Sequence, residues 1–463
     1  MNQNPKQVLV LIDYYRQALK INPNNYSLYD KVARLYYEIG EFNLAGQVCK
    51  AALQQNSDWE LTILPSLLEK MGLADNNSQF LQYVYGTTSL KTQIASNSSM
   101  SVIEVFKLFE EDDPAKAINT CFDLIQNHPI LEWPHSLLNR QLIMRHNTAD
   151  FLDKIIGFYE SILQRPPILP TAYIVFGNAL TQKGKIVEAI TAFQAGINQK
   201  IYFNKYHPQY YYNIPKRSQV DFLIIGIGKG GTSAVYRYLS QHPKILSASQ
   251  KELHFFNQKF ELGIDWYLAQ FPQLPQGSKY LTGEATPWYL ASHGVAEKVY
   301  QTFPHIKLIA LLRNPVTRAV SHYYMARKLG REKRSLEVAL NSELAILSQT
   351  SSFDEITAQY WSTERGYLLL GLYIHFIQKW LKLFPSEQLL ILRSEDLYRH
   401  TDTTLQQIYH FLDIPEHSLK SYPRYNANSY PKISSGLYQK LATFFQPHNQ
   451  KLESYLGRSF DWE

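Results

Sequence analysis

Apolar positions along this 463-residue chain follow two different patterns. In the first 200 residues, aromatic, small and turn residues recur with a period of 34, as in Ala18 and Ala52. From residue 218 onward the apolar residues gather into short unbroken runs separated by glycine, proline and charged turns. The first pattern predicts stacked helix pairs; the second predicts fully buried strands of a parallel α/β sheet. One run, at 222–225, opens into a glycine-rich loop and then a helix-like segment beginning Thr232-Ser233-Ala234. Another, at 306–312, ends on Arg313, and Pro315 follows where a first helical turn tolerates it. Between them KELHFFN (251–257) reads as extended, which puts Glu252 and His254 on one side and splits Phe255 and Phe256 between two faces.

The loop carries the first chemical signal. Its sequence is G-I-G-K-G-G-T-S, with Gly226, Gly228, Gly230 and Gly231 around Lys229 and with Thr232 and Ser233 at the start of the helix. Backbone N–H groups at such a strand-to-helix turn form an anion cradle. A nucleoside-triphosphate loop places its lysine directly before the hydroxyl residue, to reach the β- and γ-phosphates beside magnesium. Here Lys229 lies inside the loop and Gly231 is followed directly by Thr232, which suits a shorter anion with no terminal phosphate and no obligatory metal. The hydroxyls of Thr232 and Ser233 are expected to bind phosphate or to cap the helix. Arg313 and Ser321 stand eight residues apart, and an arginine fork pairs two phosphate oxygens at once. Arg318 reads as an ordinary solvated helix arginine.

These segments resemble sulfotransferases that use 3′-phosphoadenosine 5′-phosphosulfate (PAPS). The glycine loop is similar to the family's 5′-phosphosulfate loop, and Arg313 with Ser321 to its clamp on the 3′-phosphate. KELHFF followed by G-I-D-W-Y (263–267) resembles carbohydrate sulfotransferases of the heparan-modifying kind, in which the matching glutamate is the general base. The resemblance runs from about residue 218 to the end. It includes the helix, strand and acidic turn at 371–397, and Ser429-Tyr430-Pro431 where relatives place a loop over the nucleotide. It implies that Lys229 donates to the oxygen leaving sulfur, that Glu252 takes the acceptor proton, and that His254 is a second base or orients the acceptor. Glu284 is expected to orient Lys229, touch the acceptor or form a structural ion pair. Ala285 stands where heparan enzymes tend to carry a lysine, and the stretch around 426–429 lacks their flanking basic residues and cysteine pair. Those departures bear on the acceptor and leave the donor untouched.

In the first part, Tyr29, Val32, Ala33, Tyr36, Gly40, Phe42 and Ala45, and later Tyr173, Phe176, Gly177, Leu180, Gly184, Ile186, Ala189 and Phe193, resemble tetratricopeptide (TPR) repeats. Residues 1–200 therefore read as an all-α TPR-like domain, degenerate over 58–165. A tyrosine- and proline-containing linker follows at 201–217, and then the P-loop-like α/β domain at 218–463. A TPR-like solenoid implies a face that binds a protein or the acceptor. Net charge is +6, but it is uneven: from Lys216 onward there are 28 Lys and Arg against 21 Asp and Glu, and before it 18 against 19. The excess suits a polyanionic nucleotide. Its densest patch is Arg327, Lys328, Arg331, Lys333 and Arg334, expected as an exposed solvated cluster or a steering patch. Two cysteines, Cys49 and Cys121, give no disulfide framework or thiolate metal site. No run is long enough to span a membrane and the N-terminus does not read as a signal peptide, so a cytoplasmic protein with no nucleic-acid partner is expected. The chain therefore reads as an enzyme transferring a sulfuryl group from PAPS, most simply to a carbohydrate hydroxyl or amine, or else to protein tyrosine. A magnesium-dependent phosphotransferase lacks its lysine here. A catalytically inactive adaptor has no physical need for Lys229, Glu252, Arg313 and Ser321 together.

Overall fold

The computed structural model describes residues 26–38, 42–55, 113–127, 131–144, 149–164, 169–204, 218–274, 278–349, 366–419, 421–423, 430–431 and 433–462, together with Ile12, Tyr15, Leu19, Val105 and Phe353. Ala18, Pro23, Gly40, residues 58–104 of the degenerate stretch, linker residues 205–217 and the stretch 426–429 lie outside them. The chain divides into two compact units, Met1–Ile214 and Pro215–Glu463.

The first unit is helical: α1 (Tyr26–Glu38), α2 (Phe42–Gln55), α3 (Pro114–Asn127), α4 (Glu132–Met144), α5 (Ala149–Ile162), α6 (Pro170–Gln182) and α7 (Ile186–Asn204). Helix α7 thus continues through the first four residues expected as linker. Helices α6 and α7 pack closely because Gly177 has no side chain. A Cβ there would stand 2.7 Å from the ring of Phe193. The turn between them uses Gly184 at φ +80°, a conformation that costs other residues. Cys49 and Cys121 are fully buried, and burial pushes both thiols up to about 12.

The second unit is built on a parallel sheet of β1 (Phe222–Gly226), β2 (Ile245–Ser247), β3 (Leu281–Ala285), β4 (Lys307–Leu312) and β5 (Leu389–Arg393), in the order β2-β3-β1-β4-β5. Its longer helices are α8 (Thr232–Leu239), α9 (Val295–Thr302), α10 (Pro315–Lys328), α11 (Leu336–Gln349), α12 (Tyr373–Leu381), α13 (Thr401–Phe411) and α14 (Ser435–Leu456). All of β1 is buried, as a strand covered on both faces must be. Phe222, Ile224, Ile309, Leu311 and Leu392 pack with α8 and α13, while Leu223 and Ile225, alternating with them, are equally buried. Helix α10 begins as its sequence predicts: Pro315 is in its first turn, and Asn314 Oδ1 accepts from Thr317 N at 3.0 Å.

The strand order reverses direction at β1 and β4, which lie side by side. From β1 the chain goes out to β2 on one edge; from β4 it goes to β5 on the other. Their carboxyl ends therefore open into the crevice where α/β sheets bind ligands. The close approach of β1 to β3 depends on Gly283, where a Cβ would lie 2.2 Å from the Phe222 carbonyl oxygen. Gly283→Ala is expected to destabilise this unit by about 1–3 kcal/mol, read as a lower urea midpoint at unchanged slope. An unchanged midpoint would show that the strands separate freely.

Candidate functional site

The loop after β1 is shaped by its glycines and held by two arginines. A Cβ on Gly230 would stand 2.5 Å from the Leu311 carbonyl oxygen, and Gly231 sits at φ +99°. Lys229 itself is left-handed at φ 75°, a strained conformation for a residue with a side chain. Arg313, at the end of β4, donates from Nη1 to the Lys229 carbonyl at 3.2 Å and from Nε to Thr317 Oγ1 at 3.0 Å. Arg318 donates from Nη1 to the Gly228 carbonyl at 3.3 Å. With Gly231 as the residue before the helix, Thr232 and Ser233 are its first two members. Their hydroxyls are therefore not the capping groups, which corrects that expectation.

Lys229 Nζ rests 3.6 Å from Met325 Sδ. Burial lowers its pKa from the ordinary lysine value, Arg313 and Arg318 add to the fall, and Tyr430 and Glu252 oppose it. Ser321 is buried on α10, with its hydroxyl 3.5 Å from that of Tyr430, whose ring stacks on Tyr324 at 4.8 Å. The structure thus brings Lys229, Arg313, Ser321, Tyr430 and Glu252 to one end of the sheet.

KELHFF is not extended. Glu252 and His254 are both left-handed (φ 64° and 56°), and a short helical turn follows over Phe255–Lys259. The reason lies in β3 and the turn after it. Ala285 O accepts from Glu252 N at 3.1 Å, Glu284 Oε2 from Leu253 N at 3.3 Å, Thr286 Oγ1 from His254 N at 3.4 Å, and Tyr289 Oη from Phe255 N at 2.9 Å. Four consecutive amides bonded to one neighbouring segment force the chain to curl. Phe255 and Phe256 accordingly enter a single aromatic cluster with Tyr267 (4.5 and 5.4 Å between ring centroids) instead of two faces. Glu252 and His254 do meet: Nε2 lies 3.8 Å from Oε2, and Lys251 Nζ bonds the other oxygen. Burial would raise the Glu252 carboxyl, but His254 and Lys251 outweigh it and hold it at about 2.

Among the described residues Glu284 pairs with no cation, Lys229 included. It is fully buried, and besides Leu253 N its carboxylate accepts from Thr286 Oγ1 (2.6 Å), Tyr289 Oη (2.7 Å) and Tyr267 Oη (3.1 Å). Burial raises its pKa against these donors.

The family model described as "Sulfotransferase domain" matches residues 219–449. Heparan sulfate glucosamine 3-O-sulfotransferase 5 of Mus musculus is 30% identical over 265 residues, covering 52% of this chain and 73% of that protein. The chain belongs to the sulfotransferase family. It is a PAPS-dependent sulfotransferase acting on a hydroxyl or amine acceptor. The membrane-associated sulfotransferase kil1 of Dictyostelium discoideum is 26% identical over 312 residues, 52% of this chain and 66% of that protein. Human bifunctional heparan sulfate N-deacetylase/N-sulfotransferase 2 is 33% identical over 199 residues, 42% of this chain and 22% of that much longer protein. Among the described residues of this sulfotransferase, no helix is long and apolar enough to cross a membrane.

Arg318 of the sulfotransferase is not a solvated arginine: it is 1% exposed. Besides the Gly228 carbonyl it bonds those of Gly366 (3.3 Å) and Tyr367. From the other side Glu343 Oε1 accepts from Leu368 N (3.0 Å) and Leu369 N (2.9 Å). The segment 366–369 is therefore clasped between a buried cation and a buried acid. The basic patch is partly folded as well. Arg334 forms a two-pronged pair with Glu332 (3.0 and 2.6 Å), which also accepts from Tyr367 Oη at 3.1 Å, and Arg327 caps the Lys333 and Arg334 carbonyls. Only part of it is a solvated cluster. Arg318, Ser321, His322 and Met325 stand at i, i+3, i+4 and i+7, one stripe of α10. That spacing was the signal by which Arg318, His322 and Met325 could have been found in the sequence.

Burial raises Glu343 to about 7 against its two amides and Arg318. A raised carboxyl means that the folded state binds the proton more tightly, so stability falls as pH climbs from the usual carboxylate range through 7. Glu343→Gln keeps an accepting oxygen and cannot ionise. It is expected to match the parent near pH 4 and exceed it by up to ~3 kcal/mol at pH 8, read by thermal unfolding at both pH values. An equal difference at both would contradict the assignment.

Proposed function

We propose that this sulfotransferase carries the sulfuryl group of PAPS to a carbohydrate hydroxyl or amine. One observation carries the reading: Lys229, Arg313, Ser321, Tyr430 and the Glu252–His254 pair converge where β1 and β4 end. In this reading the amides of Gly226, Gly228, Gly230 and Gly231, with Thr232 and Ser233, take the 5′-phosphate. Arg313 and Ser321 take the 3′-phosphate, and Tyr430, stacked on Tyr324, borders the nucleotide. The acceptor oxygen or nitrogen attacks sulfur as the bond from sulfur to the bridging oxygen breaks. Glu252, already ionised beside Lys251 and His254, receives the acceptor proton. Lys229 donates to the bridging oxygen, where the electron pair collects on departing adenosine 3′,5′-bisphosphate. The curated relatives named for heparan sulfate support a glycan acceptor. The helical first unit, read as TPR-like, recruits a protein or the acceptor itself.

Calorimetric titration with adenosine 3′,5′-bisphosphate, ADP and AMP, with and without magnesium, tests the donor site. A metal-independent preference for the bisphosphate is expected. Equal, magnesium-dependent ADP binding would point to phosphoryl transfer, and no binding to an inactive adaptor. Arg313→Ala is expected to weaken bisphosphate binding by about 1.5–3 kcal/mol, a lost charged hydrogen bond; unchanged affinity would remove the 3′-phosphate role. Lys229→Ala is expected to abolish turnover with unfolding temperature unchanged, and normal turnover would remove Lys229 from the chemistry. An acceptor screen across glycans and tyrosine peptides then decides between the two acceptor classes.

A further inference from the structure

His322 follows Ser321 on α10 and is 3% exposed, yet among the described residues its Nδ1 has no hydrogen-bond partner. The Gly366 carbonyl, which Arg318 also holds, favours an N–H on the ring, and with Nδ1 unpartnered that proton is assigned to Nε2. Trp288 and Tyr367 stand edge-on to the ring at 6.0 and 5.0 Å between centroids. Burial, with Arg318 and Lys229 nearby, lowers the pKa well below the ordinary histidine value, and the ring is neutral. A neutral imidazole that donates through Nε2 presents Nδ1 as a bare acceptor. Leaving it unsatisfied carries a desolvation cost, and such orphans call for an explanation.

The matching donor is close by. Lys229 has three N–H groups, and among the described residues its ammonium bonds the weakly accepting thioether of Met325. Met325 lies three residues beyond His322 on the same stripe of α10, and the charge of Lys229 is felt at His322. One helix face thus carries two supports for one ammonium, a poor acceptor in use and a better one vacant. His322 is buried, and the lysine already reaches Met325, about one helical turn beyond it.

We propose that His322 is a positioning residue for Lys229: when the nucleotide occupies the site, the ammonium leaves Met325 and takes Nδ1 as its second partner, which aims a remaining N–H at the bridging oxygen. The inference rests on the donor-site reading above. His322 does not touch substrate and acts through the lysine.

The test follows Nδ1 directly. In protein labelled with 15N at histidine, adenosine 3′,5′-bisphosphate is expected to move the His322 Nδ1 resonance upfield, as acceptance of a hydrogen bond does, and Lys229→Met is expected to remove that shift. In parallel, hydrolysis of PAPS without any acceptor reads the donor side alone. His322→Gln keeps a donor for Gly366 but no atom at Nδ1, and is expected to lower this rate about ten- to a hundredfold, the cost of a misplaced group. Bisphosphate affinity is expected to stay unchanged. His322→Asn, whose amide oxygen falls near the Nδ1 position, is expected to recover most of the rate. Bisphosphate binding by calorimetry with an unmoved Nδ1, or a shift that survives Lys229→Met, overturns the inference and leaves the donor site intact. Absence of bisphosphate binding overturns both.

Discussion

The buried guanidinium of Arg318 is the contact on which the sulfotransferase site depends. It lies under three backbone carbonyls from two distant segments, Gly228 in the loop after β1 and Gly366 and Tyr367 at the start of the clasped turn. A guanidinium suits that socket because it presents donors in several in-plane directions and stays charged when desolvated. Its burial carries a desolvation cost that only charge-assisted hydrogen bonds offset. The carbonyls are therefore as constrained by the arginine as it is by them. Arg313 extends the grip to the Lys229 carbonyl, so two cations draw consecutive loop carbonyls toward β4 and α10. The strained backbone of Lys229 is held in place by this grip.

Glu284 organises the opposite side of the site by the same kind of physics with the charges reversed. A fully buried acid collects three hydroxyls and one amide, and two of those hydroxyls, on Thr286 and Tyr289, also accept from His254 N and Phe255 N. The loop that presents Glu252 and His254 is thus built on an internal polar network and an aromatic cluster, not on a sheet ladder. Such a network orders a loop that strand pairing would have left flat. The segments that carry Glu252 and Lys229 are held by different buried groups, Glu284 with its hydroxyls for the one and the two arginines for the other.

At KELHFF and Arg318, two places where the structure departs from the sequence reading, the cause is a partner far away in the chain. KELHFF alternates like a strand, but its amides are taken by a segment more than thirty residues on, for example Leu253 N by Glu284. Arg318 looks like any helix arginine until the 366–367 carbonyls, 48 and 49 positions later, come to lie over it. Glu284 sits in TGEATPWY, where nothing local says that two tyrosine hydroxyls will converge on it. Backbone carbonyls and amides are the same at every residue, so their placement leaves no mark on a pattern of side chains.

The sequence by itself determined the order of strand, glycine loop and helix, the start of α10 at Pro315 and the eight-residue spacing that puts Arg313 at the end of a strand and Ser321 on the helix after it. These are short-range consequences of steric and periodic rules, so they survive without knowledge of neighbours. Only the tertiary structure decided which of the polar residues are buried and what they hold: Arg318 inward, Glu284 as a hub, Glu252 and His254 turned to meet, His322 with a nitrogen to spare. Burial and hydrogen-bond partnership are set by where remote segments come to rest against one another, and that is a property of the packed chain alone.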